Sequence, residues 1–183
     1  ARFADFSLAP DTLDLARRMV QAGEIDALVP ERVWQEIERG LLAQRPSRMA
    51  QVLMDCGAWT RLWPELTLDG PRQRAWALLD DWPQASLGVR WALWCHGCTR
   101  AQSQALSSRF RVPGEVADLS QAWSEFESDL MQAKNDAMAA CEFLYAMDAH
   151  RRPERAAALI ELARHWAPNA SMTQSAQWWG HAL

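Results

Sequence analysis

At 183 residues the chain suits one domain or two small ones, and a chain of this size can bury roughly 70% of the surface its unfolded form exposes. A formal net charge of -4 excludes a protein that coats nucleic acid with its whole surface, so any RNA contact has to come from local patches. No run approaches the ~18 consecutive apolar residues of a membrane span, and no signal peptide opens the chain, so a cytoplasmic protein is expected. The opening ARFADF, without an initiator Met, reads as the middle of a longer chain.

Helical periodicity runs almost from end to end, with no strict apolar–polar alternation, which predicts an all-α array of roughly eight to ten helices and no sheet. Asp11 is placed to cap a first helix whose Leu13, Ala16 and Val20 share a face. Gly23 suits the left-handed turn after its end. A second helix starts at Pro30 or Glu31, shows Trp34, Ile37 and Leu41 on one side, and stops before Pro46. A third is expected from Pro46 to Gly57 with Met49, Val52 and Leu53 inward. The Gly70-Pro71 step within LDGPR is the candidate boundary between residues 1–66 and 67–183. Helices are predicted over Arg72 to Trp82, Leu87 to Cys98 and Ala101 to Phe110. The strongest pattern runs from Pro113 to Met131, where Val116, Leu119, Trp123, Phe126 and Leu130 recur at intervals of three and four. Helices over Asn135 to Ala149 and Pro153 to Trp166 follow, separated by His150, Arg151 and Arg152, with a short last helix around Thr173 to Leu183.

Three residue classes carry chemical interest. The four cysteines, Cys56, Cys95, Cys98 and Cys141, sit in apolar helical surroundings and are expected to be free thiols. Cys95 and Cys98 form a C-x-x-C around His96, which invites a zinc or redox reading. A structural zinc site wants four ligands, however, and two thiols three apart on one helical face pack equally well into a core. Most of the eleven tryptophans, including Trp34, Trp91, Trp94 and Trp123, fall on apolar faces and read as core, with Trp178 and Trp179 as exceptions. The basic residues are eighteen Arg and one Lys, Lys134. Arg is the better fork for phosphate, although genome composition gives the same bias.

Five segments in order resemble one family: APDTL at Ala9 to Leu13, PERVWQEI at Pro30 to Ile37, VLMDCGAWTRLWPEL at Val52 to Leu66, FRVPGEVADL at Phe110 to Leu119 and DAHRRPER at Asp148 to Arg155. They are similar to the helical region after the catalytic domain of bacterial CCA-adding enzymes, the class II tRNA nucleotidyltransferases related to poly(A) polymerases. The resemblance implies a neck-like region over 1–66 and a helical body over 67–183. It implies 3′-CCA addition to tRNA as the parent activity. The nucleotidyl-transfer carboxylates with their two Mg²⁺ ions, and the selection of CTP or ATP, belong to an N-terminal catalytic domain upstream. No catalytic residue and no metal or cofactor site is therefore expected in this chain. Glu31, Arg32 and Glu36 fall on the motif that buttresses the nucleotide-selecting neck, and Glu31 and Glu36 could clamp Arg residues of an adjacent helix.

The family's metal-dependent His-Asp domain, where present, carries CHDLGKG over the stretch that reads CHGCTRA at Cys95 to Ala101. His96 matches, the metal-binding Asp is replaced by Gly97, and the activity is expected to be lost in a degenerate HD-like body. Arg109, Arg111, Arg151, Arg152 and Arg155 are the candidate contacts to a tRNA acceptor arm and T-arm, read through phosphates and shape. Each such cluster also has an ordinary role at a helix end. Two other readings stay open: a helical protein-interaction module without an RNA role, and a residual phosphohydrolase, which needs more metal ligands than the sequence supplies.

Overall fold

The computed structural model describes residues 8–132 and 137–166, with side chains left aside over 131–140. Among the described residues there are ten α-helices, one 3₁₀ turn and no strand. The helices are α1 (Pro10–Gln21), α2 (Pro30–Leu41), α3 (Ser47–Asp55), α4 (Trp59–Leu62), α5 (Gly70–Asp81), α6 (Leu87–Trp94), α7 (Arg100–Arg109), α8 (Gly114–Gln132), α9 (Ala137–Ala146) and α10 (Pro153–Trp166), and the 3₁₀ turn is Glu24–Ala27. The helix expected over Thr173 to Leu183, together with Trp178, Trp179 and Lys134, lies outside the described residues.

Local signals explain most boundaries. Gly23 takes φ 78° immediately after α1, as its position predicts. Asp11, by contrast, does not cap α1. Pro10 occupies the first turn, Ala9 is the N-cap without a side-chain hydrogen bond, and Asp11 lies two residues past the cap. Pro at the first helical position needs no partner for an N–H it lacks, so the helix starts earlier than the Asp would have set it. Asp69 caps α5 by accepting the Arg72 backbone N–H at 2.9 Å, so the Gly70-Pro71 step opens a helix. Thr99 and Gln102 form a reciprocal capping box at α7. The third helix, periodic in sequence from Pro46, has no cap of its own. Asp80 of α5 accepts the Ser47 N–H at 2.9 Å and its hydroxyl as well, so the cap comes from a residue 33 positions away.

The core is continuous from α2 to α10. All nine tryptophans of the described residues are buried. Trp59 and Trp63 on and after α4 meet Trp76 of α5 and Trp94 of α6 with ring centroids 4.9 to 5.6 Å apart, a cluster that joins α4 to α5 and α6. α8 packs on α6, α7 and α10. At Gly88 a Cβ would stand 3.0 Å from Leu119 Cδ2, so the absence of a side chain permits the close crossing of α6 and α8. Ser103 of α7 and Ser120 of α8, both buried, satisfy each other at 2.8 Å.

Two buried arginines replace loops as fasteners. Arg90, 3% exposed, donates from Nε to Ala85 O at 2.9 Å and from its terminal nitrogens to Leu41 O at the end of α2 and to Pro83 O. Burial lowers its pKa, yet guanidinium stays charged under any ordinary condition and converts otherwise orphaned carbonyls into partners. Arg72, 2% exposed, ties Thr67 O to His96 O in the same way.

Candidate nucleic-acid interface

The two arginine clusters singled out in the sequence both start at left-handed helix caps. α7 ends in Phe110, and Arg111 takes φ 57° while Val112 N donates to Ser107 O at 2.9 Å. α9 ends with Asp148 at φ 55° and Ala149 N donating to Leu144 O at 2.9 Å. This is the 6→1 closure of a helix C-terminus, made here with side chains where glycine is usual. Each cap turns the chain sharply and sets a basic segment on the surface.

Within these segments the arginines divide. Arg109 donates to Leu62 O at 2.9 Å and grips Glu65 with both terminal nitrogens, fixing α7 to the segment after α4. Burial alone would raise the Glu65 carboxyl, but the hydrogen bonds from Arg109 and its own backbone, with the guanidinium charge, hold it below the ordinary value. Arg155, its side chain 16% exposed, reaches Asp118 of α8 at 3.2 Å and Met147 O. These two are internal clamps. Arg111 is 69% exposed and meets Glu31 only at 3.9 Å. Arg152 pairs with Asp118 at 2.7 Å and is 52% exposed. The Arg151 side chain is exposed and has no partner among the described residues. Arg151 and Arg152 border a cleft of about 990 Å³ between the first turns of α6, α8 and α10, whose walls also carry Glu115, Asp118 and Glu154. Arg155 lines it too, so its charge is mixed.

Of the neck residues, Glu31 reaches another element through Arg111, and Glu36 pairs with Arg39 of its own helix at 2.6 Å. Arg32 lines an apolar groove of about 630 Å³ whose floor includes Ile25, Val33, Ile37, Met49 and Leu53. Beside it, α1 has no buried residue, and Leu15 and Met19 are 51% and 43% exposed.

The CHGC segment is held by protein contacts. His96 is buried, its carbonyl bound by Arg72, and Gly97 takes φ 80° with the Arg72 guanidinium alongside. Burial, followed by the Arg72 charge, lowers His96 to a pKa of about 4. Its Nδ1 lies 3.5 Å from Glu127, whose own burial raises it to about 7. Cys95 and Cys98 are buried, and burial raises both thiols. Among the described residues no three His, Cys, Asp or Glu side chains are grouped to hold a metal ion, and no helix is long and apolar enough to cross a membrane.

The sequence shows Arg72 with Arg74 as one more basic pair near a helix end and offers no signal for Arg90 or for the exposed Tyr145 beside the basic turn. Only the tertiary carbonyls around Arg72 and Arg90 reveal a clamp.

Among the described residues the body is helical and strand-free, fastened by buried arginines, with exposed guanidinium groups beside two left-handed helix caps. Residues 5–69 match the family described as "Probable RNA and SrmB- binding site of polymerase A". The chain is 44% identical over 170 residues, 92% of its length, to the CCA-adding enzyme of Bordetella bronchiseptica, of which it covers 45%. It is 42% identical over 155 residues to that of Coxiella burnetii, covering 84% of this chain and 41% of the relative. The Multifunctional CCA protein of Leptothrix cholodnii is 41% identical over 190 residues, covering 85% and 45%. No solved structure matches the chain. The chain belongs to the bacterial CCA-adding enzyme family as its C-terminal region, and it spans a little under half the length of the curated relatives it matches.

Proposed function

We propose that this chain holds tRNA by its acceptor arm and T-arm and orients the 3′ end toward an N-terminal catalytic domain that adds CCA. The observation that carries this reading is the similarity to CCA-adding enzymes across 92% of the chain, joined to the RNA-binding family match over 5–69. Mg²⁺ and CTP or ATP then belong to the catalytic domain, and the protein works in the cytoplasm, where tRNA is processed. Residues 1–66 act as the neck and 67–183 as a body descended from a His-Asp domain, with Gly97 in place of the metal-binding Asp.

Among the candidate contacts, Arg111, Arg151 and Arg152 offer accessible guanidinium groups to phosphates, and Arg109 and Arg155 position the segments that carry them. Glu31 serves the same end by steadying Arg111, and Arg32 and Glu36 face the neck groove. That groove and the bare face of α1 support a seat for the catalytic domain. They also favour the second reading, a protein-interaction module without an RNA role.

Binding of a fluorescent tRNA lacking its CCA end, across a salt series and against duplex RNA of equal length, separates the two. Salt-sensitive preference for tRNA is expected, with log K falling as salt rises because bound phosphates release counterions. Arg111→Gly suits the left-handed backbone there, so it should weaken binding without loss of fold. Absence of binding at low salt would leave the interaction module standing.

A further inference from the structure

The chain's one tyrosine, Tyr145, lies in the last turn of α9 and is 80% exposed, the most exposed of the large apolar and aromatic side chains described. The left-handed cap at Asp148 folds the chain back so that the His150 ring lies parallel to it, 8° between planes and 6.2 Å between centroids. Asp148 N donates to Tyr145 O at 2.9 Å, and Asp148 Oδ1 stands 3.5 Å from His150 Nδ1, so the aspartate holds both ends of the arrangement. A centroid offset of 6.2 Å gives the rings only partial overlap and leaves Tyr145 open. The next residue is Arg151, whose side chain has no partner among the described residues, followed by Arg152, which pairs with Asp118.

An exposed aromatic face followed, just past the helix cap, by the exposed Arg151 guanidinium is the pairing that single-stranded nucleic-acid sites use, the ring for a base and the cation for the neighbouring phosphate. We infer that Tyr145, steadied by His150, is a stacking platform for an unpaired or terminal nucleobase, with Arg151 binding the adjoining phosphate. This rests on the RNA reading above and deepens it, because it assigns part of the recognition to an exposed base and not to duplex shape. It also gives the left-handed conformation of Asp148 a purpose. A residue with a side chain is disfavoured there, and its cost is offset by the hydrogen bonds that set Tyr145 and His150 in register.

The test uses the full chain and a fluorescent tRNA transcript lacking CCA, in a salt series, with Tyr145→Ala, Tyr145→Phe, Tyr145→Leu and Arg151→Ala. Stacking predicts that Tyr145→Ala and Tyr145→Leu each lose on the order of ten-fold in affinity with the salt slope unchanged. Tyr145→Phe should bind within about two-fold of the parent, since the π face is kept. Arg151→Ala should instead lower the salt slope by about 0.7 to 0.9, the signature of one lost phosphate. Leucine keeps apolar area against the turn, so a loss shared by Leu and Ala cannot be charged to misfolding of α9. Tyr145→Ala and Tyr145→Leu binding like the parent, while Arg151→Ala weakens, would overturn the platform and leave RNA binding intact. A parent chain that does not bind tRNA at the lowest salt would remove the RNA reading and the platform together.

Discussion

The first helix and the sixth occupy opposite extremes of this molecule. α1 is amphipathic and carries apolar Leu13, Leu15, Ala16, Met19 and Val20, yet none of its residues is buried. α6 has six consecutive buried residues, from Val89 to Trp94, in a segment whose apolar residues are not confined to one face. Amphipathic periodicity shows that a helix has something to cover. It does not show that the cover is supplied by the same stretch of chain. α1 is held mainly by the 3₁₀ turn and by Arg17 Nε donating to Asp55 O at 2.9 Å, whereas α6 is locked by the tryptophan cluster and the Arg90 clamp.

The difference can be broken from the α6 side first. Trp94→Ala empties the centre of the cluster and should cost about 3–5 kcal/mol, read as a shift in urea midpoint. A loss below about 1 kcal/mol would mean the neighbouring indoles close the gap, contrary to a rigid junction. Arg90→Met keeps volume but leaves the carbonyls of Leu41, Pro83 and Ala85 without their donor. At about 1–3 kcal/mol for a stranded buried acceptor, a net loss on the order of 3 kcal/mol is expected. Amide exchange should quicken at the end of α2, and protection there unchanged from the parent would sink the clamp.

The His96 and Glu127 pair gives a smaller, pH-dependent effect. Glu127, raised from 4.5 to about 7 on folding, favours the folded state at low pH and loses that contribution as pH rises through 7. His96, lowered from 6.5 to about 4, favours folding above 6.5 and loses that contribution as pH falls toward 4. Between 4.5 and 6.5 the slopes oppose. Glu127→Gln should leave the His96 slope alone, so melting temperature should drop more steeply on acidification than in the parent. An identical pH profile in the variant would show that the two do not offset each other.

The smallest effect lies at α1. Leu15→Ala with Met19→Ala should change stability by less than about 0.5 kcal/mol each, because exposed side chains have little burial to lose. A loss comparable to that at Trp94 would mean that this face is already covered within the chain.

Arginine roles were the least legible part of the sequence. Arg109, Arg111, Arg151, Arg152 and Arg155 read alike as basic residues near helix ends, and nothing in their neighbours along the chain separates a clamp from a free cation. Arg109 became a clamp because Glu65 and the Leu62 carbonyl, 44 and 47 positions away, converge on it. Around Arg151 no such group converges among the described residues.

Periodicity, helix-start prolines and Gly23 were enough to set the all-α class and the span of nearly every helix, since those signals act within a turn or two of chain. The resemblance motifs likewise lie in the linear order of residues. The short helix at Trp59–Leu62 escaped because four residues carry no period. The tertiary structure decided which apolar faces are covered, which arginines are spent on carbonyls, and that Tyr145 stands open beside the basic turn. Each of these depends on groups brought together from distant positions, where desolvation and geometry give the same side chain opposite uses.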